Sequence, residues 1–370
     1  MAIINVPDIS AGEVTRRITE YFFRMVEAGY TAKEIRPIML FGKTGVGKST
    51  SVYAVGNKLS EYLKKKVEVV DIRLTTCSIT DLTGIPTPNS DRTRTTWLKP
   101  DIFKDDDEED VYYIYFFDEL DKASPAVQGA ALQMILDRKA WKHEFPKNTL
   151  VIAAANPARG SAGYETRMAP ELLNRFRNYS VAADMKSFEE WGAENGVHDW
   201  VMGYLRFDRG KLYAESEGHD IAFPTPRAWK SVSDILKAYS GFYNKVSDLH
   251  IDLAGEIGEA TAGSFEAWCE VMKFLPTMEE IFGGSLLTED IRKRLKGVDQ
   301  VYALLSAMTN YVRDNKERIS VKELDNGGRY IEKLNPDYVA TYYTDIEGIP
   351  EIQDKLVKSN AYLKWKQKNK

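Results

Sequence analysis

"GKTGVGKST", residues 42–50, follows the apolar run "PIMLF" (37–41) and leads into "SVYAVGNKL" (51–59), which carries apolar residues at helical spacing. It satisfies G-x-x-x-x-G-K-[ST] in full, and its setting between a strand and a helix is the one that pattern requires. The glycines let the loop fold back, so that the backbone N–H groups of Gly42, Lys43, Thr44, Gly45, Val46 and Gly47 point inward at phosphate oxygens. The start of the helix, through Lys48, Ser49 and Thr50, adds its partial positive charge. Lys48 is then the cation for the β- and γ-phosphates, and Ser49 a magnesium ligand. A glycine turn that merely matched the pattern would not need the strand–loop–helix setting.

A phosphate cradle hydrolyses nothing without a carboxylate to hold the metal and another to act as base. "VYYIYFFDEL" (111–120) supplies both, because its apolar run ends in Asp118 and Glu119. A buried strand delivers its last residues to the carboxyl edge of the sheet, where open α/β folds bind ligands. Neighbours on a strand point opposite ways, so Asp118 is expected toward the magnesium and Glu119 toward the attacking water.

The same texture recurs. "VEVVDIRL" (67–74), "TLVIAAAN" (149–156) and "NYSVAA" (178–183) are short β-rich runs set among helical patterns, which implies βαβ units and a mostly parallel sheet of five strands. From residue 185 onward the patterns are helical to the end, so the expected division is an α/β domain over 1–184 and a helical part over 185–370. Nothing repeats at a solenoid period.

Composition narrows the class. With 370 residues, 43 % hydrophobic and 28 % charged, the chain is of ordinary globular make-up and long enough for more than one core. A formal charge of −5 leaves no general basic footprint for nucleic acid. Cys77 and Cys269 are distant in sequence, which excludes a disulfide framework and fits a reducing compartment. No run is long enough to span a membrane, and the N-terminus has no signal-peptide pattern, so a cytoplasmic setting is expected. The histidines, His143, His198, His219 and His250, lack metal-ligand spacing and read as structural or surface residues.

Taken in order, "GKTGVGKS", "DLTGIPTP" with "TTWLKP", "FFDELDKASPAVQGAALQMILDRK", "VIAAANPA", "LLNRF" and "FPTPRAW" resemble the AAA+ ATPases of the MoxR type, in the helix-2-insert group, over about residues 35–240. The resemblance implies a P-loop core, an all-helical lid with a C-terminal helical extension, and ATP hydrolysis with Mg2+. It also implies assembly with copies of itself into a ring, a hexamer, that remodels a protein partner in chaperone-like fashion. A von Willebrand factor A domain protein is the first guess for that partner. A nucleic-acid-stimulated motor is the alternative.

The resemblance also assigns residues. Asn156 matches the sensor-1 amide that holds a water or a γ-phosphate oxygen, although by itself "ANP" also reads as a turn leaving a strand. Arg227 matches the sensor-2 arginine reaching from the lid to the γ-phosphate of its own subunit. From the residues alone Arg175 is a cation complementing a helix end. The family reading makes it the arginine finger, aimed at the γ-phosphate of the neighbouring subunit. Arg177 has no such assignment and is expected to meet a sheet-edge acid.

The segment 78–103 matches the insert that faces the ring's pore, with Arg92 and Arg94 placed to touch a substrate, or else is a plain surface hairpin. "AWKHEFPKN" (140–148) is short for a long second hairpin, and "KDDDEED" (104–110) reads as a solvated loop. The tail from Tyr362 to Lys370 interleaves aromatics with lysines and reads as a basic helix end.

Overall fold

A computed structural model describes residues 6–31, 33–105, 111–156, 170–214, 220–295 and 298–368. His219, most of the acidic run and the last two residues of the basic tail lie outside them. The chain divides into two compact units, 1–191 and 192–370. The division falls inside a helix, Met185–Glu194, just past the boundary drawn from the sequence.

In the first unit, strand β1 (Asp8–Ser10) runs into helix α1 (Ala11–Glu27), β2 (Ile38–Gly42) into α2 (Lys48–Leu63), and β3 (Lys66–Arg73) into the short α3 (Ile79–Thr83). A hairpin of β4 (Pro86–Pro88) and β5 (Thr95–Trp97) follows, then β6 (Val111–Asp118) and α4 (Pro125–Asp137). A second, smaller hairpin of β7 (Lys139–Ala140) and β8 (His143–Glu144) precedes β9 (Thr149–Ala155). The one-turn α5 (Pro170–Leu173), β10 (Arg177–Ala182) and α6 (Met185–Glu194) complete it.

The main sheet is β1-β10-β2-β9-β6-β3, and every neighbouring pair is parallel. It has one strand more than the five expected. Asp8–Ser10 pairs with Ser180–Ala182, and a three-residue strand is too short to leave a pattern in the sequence. Every residue of β9 is buried, as are all those of β6 but Tyr112, which is how strands covered on both faces read. Tyr115, Phe117, Phe145 and Met134 belong to the core under this sheet, and the Tyr115 hydroxyl donates to the Ile102 carbonyl at 2.7 Å, pinning the end of the insert.

The second unit is helical. It begins with α7 (Asp199–Phe207), α8 (Pro226–Ala238), α9 (His250–Ile257) and α10 (Glu259–Met272), and among the described residues seven further α-helices lie between Met278 and Lys368. Trp229, Tyr204 and Phe265 are fully buried together, with ring centroids 5.3–5.6 Å apart. The Trp229 indole N–H donates to the Lys211 carbonyl at 2.7 Å, which satisfies the polar atom that burial would otherwise orphan. Cys269 is buried, whereas Cys77 is only partly covered.

Candidate active site

β2 is central to the sheet, with β10 on one side and β9 on the other, and the loop at its carboxyl end opens where the chain crosses to the far edge strand β3. That is a topological switch point. Gly45 and Gly47 hold φ of 81° and 102°, which a side chain would strain. Val46 is buried and anchors the loop between them.

Lys48, the first residue of α2, donates from Nζ to the carbonyls of Gly42 (2.5 Å) and Lys43 (3.0 Å) and to Asn156 Oδ1 (3.1 Å). The Ser49 hydroxyl donates to Asp118 Oδ2 at 3.0 Å. Asp118 is only 8 % exposed, and its other oxygen accepts from the backbone N–H of Glu119 at 2.8 Å. Cradle, carboxylates and amide, five positions from three separate stretches of sequence, thus meet at one sheet edge.

Glu119 corrects a detail. It was expected to oppose Asp118 by strand alternation, but β6 ends at Asp118 and Glu119 stands at φ 57°, in the left-handed region. The backbone turn, not the pleat, aims its side chain. The carboxylate accepts from the Thr75 hydroxyl at 2.7 Å and pairs with Lys122 at 3.3 Å. The Thr75 hydrogen bond, with Lys122 and Arg73 nearby, holds the Glu119 carboxyl below its ordinary range. Thr75 escaped the sequence reading; the only available signal was a hydroxyl residue two positions past the strand that pairs with the acid-bearing one.

Arg175 sits in the turn between α5 and β10, its N–H bonded to the Leu172 carbonyl at 3.0 Å and its side chain exposed. Arg177 lies with its guanidinium 3.7 Å from the centroid of the Tyr21 ring rather than against an acid. The aromatic face of α1 is its neighbour, which supplies a cation–π contact. Arg227 belongs to the second unit and is exposed, in the first turn of α8 behind the Thr225 cap and Pro226. No group of three or more His, Cys, Asp or Glu suited to a metal occurs among the described residues. The oxygens of Ser49 and Asp118 are nonetheless the hard donors that magnesium takes, in the small number it needs beside phosphate and water.

Residues 37–176 match the family model described as the AAA domain of the dynein-related subfamily. The comparison with curated proteins yields no match. Among solved structures, a candidate ATPase from Cytophaga hutchinsonii is similar at 18 % identity over 51 % of this chain and 54 % of that one, with a TM-score of 0.35. This chain therefore matches about half the length of that protein. A RuvB variant of Thermotoga maritima gives 14 % identity, 84 % and 89 % coverage and a TM-score of 0.37. The Orc1 protein of Aeropyrum pernix, solved with DNA, gives 14 %, 94 % and 86 %, and 0.39. Likeness at that level carries no argument about chemistry. Residues 37–176 thus carry the match to the AAA domain model, and the phosphate-binding sequence 42–50 lies within them.

Proposed function

We propose that this ATPase works as a ring of the MoxR type, a cytoplasmic hexamer that hydrolyses ATP at subunit interfaces and uses its helical second unit as a lid to remodel a protein partner. The observation that carries the reading is the convergence of Lys48, Ser49, Asp118, Glu119 and Asn156 at one sheet edge while Arg175 is exposed elsewhere in the same unit. A complete cis site with a spare arginine is what hydrolysis between subunits requires.

Each residue then has a task. Residues 42–50 cradle the phosphates, with the Lys48 ammonium against the β- and γ-oxygens. Ser49 and Asp118 would hold magnesium, which when bound neutralises charge on the phosphates. Glu119 takes a proton from the attacking water, and Asn156 orients that water without adding charge. Arg175 stabilises the transferring phosphoryl of the adjacent subunit, an effect of about 10³–10⁵ in rate or roughly 4–7 kcal/mol. Arg227 couples lid position to the nucleotide. A von Willebrand factor A domain protein is the first client to try, by family analogy only.

The test is trapping. Glu119→Gln with ATP should yield a stable ring that retains its client, whereas Lys48→Ala under the same conditions retains none. Equal retention by both variants, with assembly verified by light scattering, contradicts the reading.

A further inference from the structure

The turn that carries Arg175 is held from outside rather than by its own helix. α5 is four residues long, and after it the Arg175 N–H bonds the Leu172 carbonyl at 3.0 Å and the Phe176 N–H the Leu173 carbonyl at 3.1 Å. A helix of one turn leaves its last carbonyls to find further donors elsewhere. The Leu173 carbonyl also accepts from Asn178 Nδ2 at 3.0 Å, and the Asn174 carbonyl accepts from Arg36 Nη2 at 2.6 Å. Arg36 is 138 positions away from Asn174, just ahead of β2.

Arg36 reaches that carbonyl from a rigid base. On one side of it Ile35 is buried, and the Ile35 carbonyl accepts from Nη2 of the buried Arg138, at the end of α4, at 2.9 Å. On the other, Pro37 is buried, and its carbonyl accepts the Arg177 N–H at 2.9 Å where β10 begins to pair with β2. A planar guanidinium rising between two pinned residues loses little freedom when it bonds. Past Arg175, Phe176 is buried in the core under the sheet. The Arg175 backbone is thus gripped at both neighbours, at Asn174 by Arg36 and at Phe176 by the core, while its side chain stays in solvent. Arg36 and Asn174 are themselves exposed, and water would satisfy either group there. What their bond adds is placement rather than the rescue of a buried polar atom.

We infer that Arg36 is a positioning residue for Arg175: its hydrogen bond to the Asn174 carbonyl holds the backbone from which the Arg175 guanidinium reaches for a γ-phosphate. The inference rests on the role given to Arg175 in the proposed hydrolysis and names what makes that role workable. A group that stabilises a transition state must be held to within about 0.5 Å, and a long side chain magnifies any tilt of the turn beneath it. Arg36 itself touches no nucleotide, so its loss falls on turnover and not on ATP affinity.

The experiment compares Arg36→Ala, Arg36→Lys, Arg175→Ala and the double variant Arg36→Ala/Arg175→Ala, each in the full chain. Arg36→Ala is expected to lower kcat by about tenfold or more, with the ATP titration and the melting temperature little changed. Arg36→Lys, whose ammonium can still donate to the carbonyl, should recover most of that loss. In single-turnover hydrolysis the double variant should be no slower than Arg175→Ala, since an arginine that is absent cannot be misplaced. Mixed with Glu119→Gln under subunit exchange, Arg36→Ala should regain activity, because its intact base meets a well-placed Arg175 from the other chain. Undiminished kcat in Arg36→Ala overturns the inference, as do losses that multiply in the double variant or a matching loss of ATP affinity. Complementation of Arg175→Ala but not of Arg36→Ala overturns it alone. Failure of both to complement counts against hydrolysis between subunits, while a double variant no slower than Arg175→Ala would still support the pairing of Arg36 with Arg175.

Discussion

In the proposed mechanism Lys48 and Glu119 act on the same nucleotide from different elements, so their variants should fail in different ways. Removing the ammonium in Lys48→Ala takes away the cation for the phosphates, so nucleotide affinity should fall by an order of magnitude or more. Glu119→Gln keeps a side chain of the same shape but cannot take a proton, so binding should survive and turnover should not. Isothermal titration with ATP separates the two, and parallel loss of binding would remove the role assignment. Thr75 allows a finer test. Its hydroxyl keeps the Glu119 carboxyl below the ordinary range, so the base stays ionised to lower pH. In Thr75→Val that carboxyl titrates higher, and the acid limb of the kcat/KM profile should move up in pH with the plateau little changed. Superimposable limbs would show that the contact does not govern the base. The cradle was legible because it is a contiguous pattern. Thr75 was not, because its partner lies 44 positions away and only the β3–β6 pairing brings them together.

The strands announced themselves where burial on both faces leaves unbroken apolar runs, as in β6 and β9. β1 did not, since three residues show no period; the insert's hairpin was one of the two readings of 78–103, but its short strands left no pattern of their own among prolines and glycines. The helices of the second unit were readable as helices, whereas their polar ties were not. His250, at the start of α9, bonds Glu266 Oε1 through Nδ1 at 2.7 Å and Glu259 Oε1 through Nε2 at 3.0 Å, both on α10. The Glu266 hydrogen bond, seconded by Glu259, raises the His250 pKa. A raised folded-state pKa means that the stabilising contribution is complete below the unfolded value of about 6.5 and disappears as pH climbs through the folded one. The melting temperature of His250→Gln should therefore fall short of wild type at pH 6 and approach it by pH 9. A gap independent of pH would mean that the imidazole acts there as a neutral spacer.

Over the whole molecule, the α/β core followed from alternating runs and the helical remainder from the change of texture near residue 185, while the choice of client is written in no local pattern. No helix among the described residues is long and apolar enough to cross a membrane. The AAA family model matches residues 37–176, all within the first unit, so the proposed role of the second unit as a lid rests on the family resemblance and on its helical make-up. The proposed hydrolysis between subunits places Arg175 of one chain in the site of the next. Arg175→Ala and Glu119→Gln rings should each bind ATP and each be inactive. When they are mixed under conditions of subunit exchange, some interfaces pair an intact Glu119 with an intact Arg175, and steady-state ATPase should rise above that of either variant alone. A series mixing wild type with Arg175→Ala reports any coupling around the ring as a loss steeper than the mutant fraction. With that coupling shown to be weak, a mixture no more active than its parents would contradict the trans arrangement and leave Arg175 as a cation at the end of a helix.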